Sequence, residues 1–333
     1  MNMKRFARRQ LMHHTPEIED NAPDQQEPLV AILMATYNGS KYLQAQLESI
    51  ARQSHRNWVL YASDDGSTDS TFSILQAFQQ TQGAGRVHLL QGPRRGFAQN
   101  FLSLVRNRNI CADYFAFCDQ DDIWFEHKLD RAIASLHHRK TGQLPAFYCS
   151  RTRLIDERGR VIGYSRHFKR SPSFRNALVQ SIAGANTIVL NKPARALLAR
   201  VPTNAPVVSH DWLCYLLVSG NGGEVIYDAT PSVDYRQHSS NLMGSNITLN
   251  SRIERCLRMF SGTFRKWNQD NLVVLLQGVD ALNERNRQTA LMYEQARQAA
   301  LPQRFYLLKK AGVHRQTVLG TIGLMLAASI GKL

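Results

Sequence analysis

Between Pro28 and about Ser150 the chain alternates short apolar runs with longer amphipathic stretches. No other feature restricts the fold as much. Leu29-Val30-Ala31-Ile32-Leu33-Met34, Trp58–Ala62, Val87–Leu90 and Tyr114–Cys118 have strand length, and the first is apolar throughout. An unbroken apolar run of this length suits a strand covered on both faces, as in a parallel sheet. The segments between the runs place apolar residues at helical spacing: Leu43, Leu47 and Ile50, then Phe72, Leu75 and Phe78, then Phe101, Leu104 and Val105. Strand–helix–strand order predicts right-handed crossovers and an α/β domain with a mostly parallel central sheet and flanking helices. Ligands of such sheets lie beyond the C-terminal strand ends.

The polar clusters fall at those ends. Ala35-Thr36-Tyr37-Asn38 leaves the first strand, where hydroxyls and backbone groups could face a ligand; a plain turn needs only Gly39 and Ser40. Asp64-Asp65-Gly66-Ser67-Thr68-Asp69 follows the second. A tight turn accounts for Gly66 and Ser67, and helix capping for Asp69. Asp64 and Asp65 are left over, as acceptors for a base N–H or a ribose hydroxyl. After the third strand, Arg94 and Arg95 precede Gly96 and Asn100. That loop suits phosphate, with a glycine permitting close backbone approach; a solvated basic loop is the alternative. Cys118-Asp119-Gln120-Asp121-Asp122-Ile123-Trp124 follows the fourth strand and crowds three carboxylates into four positions. Like charges there need compensation. An extended backbone aims Asp119 and Asp121 the same way, as hard oxygen ligands for Mg²⁺ or Mn²⁺, with Asp122 serving the turn. Further on, His210 and Asp211 open a helix that Gly220 ends, with Asp211 either a cap or a general base. Arg236, Gln237 and His238 sit in a loop after an apolar strand; His238 is a metal ligand or a phosphate donor.

Charge and termini complete the reading. Forty-one Lys and Arg against 26 Asp and Glu give +15, which suits an anionic partner. The five cysteines show no metal-site spacing, which fits a reducing, cytoplasmic setting. Residues 1–28 read as a flexible basic tail. Residues 246–333 read as a helical basic extension. Its apolar run from Thr317 to Gly331 is shorter than the about 20 residues a spanning helix needs. It suits an interfacial anchor on an anionic membrane or a packed helix.

The motif order TYN, DDGSTD, RRGFAQNF, DQDD, HDW and YRQH resembles the family 2 inverting glycosyltransferases, closest to bacterial rhamnosyltransferase-like members. The resemblance covers about Leu29 to Gly244. It implies the GT-A fold, a Rossmann-like α/β architecture, over residues 29–245, with a donor half to about 125 and an acceptor half from about 126. It implies donor contacts from Ala35, Thr36, Tyr37, Asn38, Asp64, Asp65, Arg95, Gly96, Asn100, Asp119 and Gln120. It implies Mg²⁺ or Mn²⁺ on Asp121, Asp119 and His238, and Asp211 as catalytic base. Trp124, Gly184, His210, Trp212, Arg236 and Gln237 are implied on the acceptor side or its loops. His210 stands where the family more often has Glu. The implied partners are a nucleoside-diphosphate sugar, with TDP-rhamnose suggested by the branch, and a glycan or lipid-linked glycan of a surface polysaccharide or lipopolysaccharide. The implied location is the cytoplasm, at the inner face of the bacterial plasma membrane.

Two alternatives stand beside this one. A sugar-phosphate nucleotidyltransferase also uses a doubly wound sheet and an acidic metal site, but the Gly-rich basic loop of that class is missing after the first strand. A non-catalytic transferase-like module is the other. Nucleic acid is set aside, because the candidate cleft is acidic.

Overall fold

The computed structural model describes residues 27–138, 143–238 and 262–333. In chain order the first half runs β1 (Val30–Thr36), α1 (Ser40–Ala51), β2 (Trp58–Asp64), α2 (Thr71–Gln82), β3 (Val87–Gln91), α3 (Phe97–Arg106), β4 (Tyr114–Cys118), β5 (Ile123–Trp124) and α4 (Lys128–His138). Then come β6 (Ala146–Ser150), β7 (Arg153–Ile155), β8 (Val161–Tyr164), α5 (Phe174–Ala177), a 3₁₀ turn at Ala185–Thr187, β9 (Val189–Asn191), α6 (Lys192–Ala199), α7 (His210–Asn221), β10 (Glu224–Asp228) and β11 (Val233–Arg236). The last part holds α8 (Thr263–Val273), a π-helical segment at Val274–Gly278, α9 (Glu284–Gln298), α10 (Gln303–Ala311) and α11 (Val318–Ser329).

Seven strands form one sheet in the order β10-β6-β9-β4-β1-β2-β3. All pair in parallel except β9, which is antiparallel to both β4 and β6. Strand order reverses at β1, which has β2 on one side and β4 on the other, so the ligand crevice of a doubly wound sheet opens between the ends of β1 and β4. A second sheet, β5-β11-β7-β8, flanks that crevice through β5, which leaves the acidic cluster directly.

Burial explains the helices. Leu43, Leu47 and Ile50 of α1 and Phe101, Leu104 and Val105 of α3 are fully buried or nearly so. In α2, Leu75 and Phe78 face the core, but Phe72 is 40% exposed and Thr71 takes the buried place before it. The helix expected to stop at Gly220 runs on to Asn221 and ends at Gly222, whose φ of 89° is the left-handed conformation of a C-cap. Gly220 serves packing instead: a Cβ there would meet Leu282 Cδ2 at 2.4 Å. Arg236 lies within β11, not in the following loop.

The C-terminal helices are not detached. One core cluster joins Leu33, Phe117 and Leu217 to Phe264, Tyr293, Leu308 and Leu324. Among the described residues no helix is long and apolar enough to cross a membrane.

Candidate active site

The DDGSTD turn divides its aspartates. Asp64 accepts hydrogen bonds from Thr36 Oγ1 (2.9 Å), Ser67 Oγ (2.5 Å) and the Ser67 amide (2.9 Å), so it closes the turn. Asp65 reaches across to the next loop and accepts from the amides of Arg94 (2.6 Å) and Gly96 (2.9 Å). Asp69 accepts from the amides of Ser40 and Thr71, the first residues of α1 and α2. Desolvation would raise its carboxyl, but these bonds outweigh that and draw it down to about 2. Three acids of one six-residue segment thus fix the ends of β2, α1, α2 and the arginine loop.

That loop turns on two left-handed residues, Arg94 (φ 55°) and Gly96 (φ 82°). Asn100 is buried and clamps Ser63, donating to its carbonyl at 2.8 Å and accepting from its hydroxyl at 2.6 Å. Arg95 is exposed and donates to the carbonyl of Thr203 at 3.3 Å. At the β1 exit, Tyr37 is 56% exposed and Asn38 is left-handed (φ 47°). The Asn38 side chain accepts from the Thr68 amide at 2.8 Å. Gln120 joins the ends of β1 and β4, accepting from the Tyr37 amide (2.9 Å) and donating to its carbonyl (3.0 Å). Only a glycine leaves room for that amide at position 39, where a Cβ would lie 2.2 Å from Gln120 Oε1.

The acidic cluster is no longer extended: β4 ends at Cys118 and the chain bends through Gln120 and Asp121. Asp122 is fully buried and accepts from the Arg236 amide (3.0 Å) and Asn186 Nδ2 (2.5 Å). Burial and the neighbouring Asp121 and Asp119 push its carboxyl well up. Beneath it lies Lys128, fully buried with Nζ 3.8 Å from the centre of the Trp124 ring. Burial draws that ammonium down to about 7, against the opposing pull of Cys118 and Asp122. Asp121 Oδ2 lies 2.9 Å from His238 Nε2, and the His238 ring packs against Tyr42 at 5.1 Å.

Asp119 remains partly accessible, yet its carboxyl is pushed up to about 8 by desolvation and by the charges of Asp121 and Asp211. That coupling places Asp211, at the first turn of α7, in the same acidic field as the two aspartates at the end of β4. Burial raises the Asp211 carboxyl too, against bonds from Ser209 and backbone amides.

The remaining site candidates serve packing. His210 is 2% exposed, stacked on Phe101 at 3.9 Å and edge-on to Phe117 at 4.9 Å; burial holds its ring neutral, down to about 3. Trp124 is 3% exposed within the core, and Trp212 is 5% exposed with Nε1 donating to the Ala177 carbonyl at 2.7 Å. Neither indole presents a face to an acceptor. The Arg236 guanidinium is buried, donating to the carbonyls of Asp121 (3.1 Å) and Glu157 (3.2 Å) and lying 4.6 Å from the Tyr42 ring centre. The Gln237 amide donates to the Ile155 carbonyl at 2.8 Å. Gly184 is exposed at the start of the 3₁₀ turn that carries Asn186. Asn186, Lys128 and Tyr42 carried no motif in the sequence. They become visible only once the fold brings them to the acidic loop.

Among the described residues, no three His, Cys, Asp or Glu side chains form a ready-made metal cage. The donor set still fits a hard divalent cation. Such ions bind through one or two carboxylates with substrate phosphates completing the shell, and the mutual repulsion that raises Asp119 is what a cation would relieve. The same repulsion yields a prediction for the metal-free protein. Unfolded, an aspartate titrates near 3.9; folded, Asp119 titrates at about 8. Its proton favours the fold at low pH, and that contribution is lost as pH rises through about 8. Asp119→Asn should therefore raise Tm, more in mildly alkaline than in acidic buffer. Equal gains in both, followed by calorimetry, would remove the charge explanation.

The chain is similar to known proteins over most of its length. Residues 31–193 match the model of Glycosyl transferase family 2. The dTDP-rhamnosyl transferase RfbG of Shigella flexneri is 28% identical over 244 residues, covering 70% of this chain and 81% of that protein. The putative teichuronic acid biosynthesis glycosyltransferase TuaG of Bacillus subtilis is 27% identical over 169 residues, 50% of this chain and 63% of its own length. Among solved structures, S. aureus TarS in complex with UDP-GlcNAc superposes with a TM-score of 0.54 at 16% identity, covering 85% of this chain and 80% of that one. The mannosyltransferase PcManGT of Pyrobaculum calidifontis, in complex with GDP-Man and Mn²⁺, gives 0.51 at 17% identity, covering 92% and 88%. Those two likenesses speak to the fold. The sequence match decides for sugar transfer over the nucleotidyltransferase alternative: this chain carries a glycosyltransferase family 2 domain on a GT-A fold.

Proposed function

We propose that the chain is a metal-dependent, inverting glycosyltransferase. It would move a sugar from a nucleoside diphosphate to a hydroxyl of a cell-surface polysaccharide or lipopolysaccharide acceptor. The observation that carries this reading is the acidic cluster at the end of β4, with Asp121 2.9 Å from His238 Nε2, beside the switch point of the sheet in a chain that matches Glycosyl transferase family 2. Asp121 and Asp119 are the residues to hold Mg²⁺ or Mn²⁺, and His238, whose Nε2 is engaged by Asp121, orients that carboxylate instead of joining the ligand set. When bound, the cation supplies Lewis-acid stabilisation of the departing diphosphate.

The rest is work for the chain's own side chains. Asp211 takes the proton of the acceptor hydroxyl as the new bond forms. Its burial suits the task, because a raised carboxylate is the stronger base. Displacement from the face opposite the leaving group inverts the anomeric carbon without a covalent enzyme intermediate. His238 donates to Asp121 and fixes its rotamer. The exposed Tyr37 and the backbone from Ala35 to Asn38 form the nucleotide wall, together with Asp65 and the Gly96 loop. Asp64, Asn100 and Gln120 shape that wall from behind through their hydrogen bonds to Ser67, Ser63 and Tyr37.

Rhamnose is the sugar we favour, from the likeness to RfbG. The division into residues 29–125 for donor and 126–245 for acceptor, with a membrane-facing extension from 246, belongs to the same proposal, as does a location at the inner face of the plasma membrane. A panel of nucleotide sugars, including TDP-rhamnose, tests the function. Diphosphate release should require one donor and either Mg²⁺ or Mn²⁺, and should stop in chelator. Release that continues undiminished in chelator would overturn the metal role.

A further inference from the structure

The last two helices leave an apolar face uncovered. On α11, Val318 (65% exposed), Leu319 (81%), Ile322 (50%) and Leu326 (55%) recur at helical spacing on the side opposite the buried Leu324, Ala327 and Ala328; Ile330 (55%) continues the row beyond the helix. Exposed Phe305 and Tyr306 project from α10, which Arg304 Nη1 ties to α11 through the Ala328 carbonyl at 2.6 Å. Monomeric proteins rarely leave a row of large apolar side chains like that of α11 to water without a use. No described residue covers it.

Charge identifies the occupant. From residue 302 to residue 333 there are five cations (Arg304, Lys309, Lys310, Arg315, Lys332) and not one Asp or Glu. Lys309 and Lys310 are exposed at the end of α10. A protein partner with a matching apolar patch would not by itself require a segment of one sign. An anionic bilayer would, because interfacial helices pair an apolar face that enters the acyl boundary with cations that meet the head groups. At twelve residues α11 is too short to span, but it can lie in the interface.

We infer that α10 and α11 form a peripheral docking surface for anionic lipid, with the apolar row inserted and Lys309 and Lys310 at the head groups. This deepens the reading of the chain as a transferase of lipid-linked acceptors and names the surface that would bring it to them.

Co-sedimentation of the full chain with phosphatidylcholine vesicles, with and without phosphatidylserine, tests the inference. The wild type should pellet only with phosphatidylserine and should be released by salt. Lys309→Glu with Lys310→Glu should weaken partitioning at least roughly thirtyfold at low salt, from about a factor of five per lysine near a charged surface. Leu319→Ser with Ile322→Ser should weaken it as well, with Tm unchanged because both side chains face solvent. Absence of binding to either vesicle would overturn the inference, as would binding indifferent to both double variants. If Leu319→Ser with Ile322→Ser instead converts a dimer to a monomer in light scattering, or lowers Tm sharply, the face belongs to a second copy or to another part of this chain, and the inference falls. Nucleotide-sugar binding by calorimetry without lipid, in the same variants, reports separately on the transferase reading.

Discussion

Asp211→Asn is expected to lower kcat by about a hundred- to ten-thousandfold, the range a positioned general base supplies, while donor affinity stays within a few fold of wild type. Asn keeps the size of the side chain and its place at the first turn of α7, and it removes only the group that takes the proton. The pH profile adds a readout that a structural role would not move. A base acts when ionised, and burial raises Asp211 above the ordinary aspartate range. The acid limb of kcat in the wild type should therefore lie above pH 4 or thereabouts, where an unperturbed aspartate would place it, and rate should fall as pH drops through it. The residual rate of Asp211→Asn should lack that limb. Single-turnover kinetics with saturating donor and acceptor separates the chemical step from binding. An unchanged transfer rate would move the base to another residue.

The first half of the fold, β1 to β4, was legible because periodicity needs only local residues. The four apolar runs are β1 to β4, and the residues chosen at positions 43, 47, 50, 101, 104 and 105 are buried. Phe72 departed from its pattern because a helix at the rim of a sheet has a narrower buried stripe than the sequence suggests, and Thr71 bonded to Asp69 fills the inward place. The antiparallel β9 and the second sheet were less legible: strands of two to four residues carry too few side chains to show a period.

The candidate site was legible by composition and illegible by role. Asp64 and Asp65 both looked left over once a turn had been satisfied. Each has an internal partner, but the partners of Asp65 are amides 29 and 31 positions away. Asp122 differs from its two neighbours for a reason no local pattern holds: its carboxylate meets the amide of Arg236, 114 positions on. His210 and Trp212 had the residue types of a binding site and the positions of a core. Exposed and buried faces of α7 cannot be told apart by pattern, because nearly all of that helix is buried. Lys128 is the converse case, an ordinary surface residue type found fully buried under an aromatic ring.

Asp121→Ala should be the most damaging change at the donor side. We expect kcat/KM to fall by more than the roughly ten- to hundredfold that loss of an outer-shell partner costs. Two roles compete for that side chain. It anchors His238 at 2.9 Å, and it lends negative charge to the pocket it shares with Asp119. Asp121→Asn separates them, since an amide oxygen can still accept from His238 while the charge is gone. If anchoring were the whole role, the Asn variant would keep most of the activity that Ala loses. If the charge holds a cation against the diphosphate, both variants fail alike, and raising Mg²⁺ or Mn²⁺ restores part of the rate. His238→Ala supplies the third corner: loss of the anchor alone should cost less than loss of the carboxylate. Calorimetric titration of nucleoside diphosphate with and without Mn²⁺ should then show metal-dependent affinity in the wild type and in His238→Ala, and a much weaker metal dependence in either Asp121 variant. Metal-dependent binding that survives Asp121→Ala at full strength would shift the ligand role to Asp119 and leave Asp121 the His238 anchor.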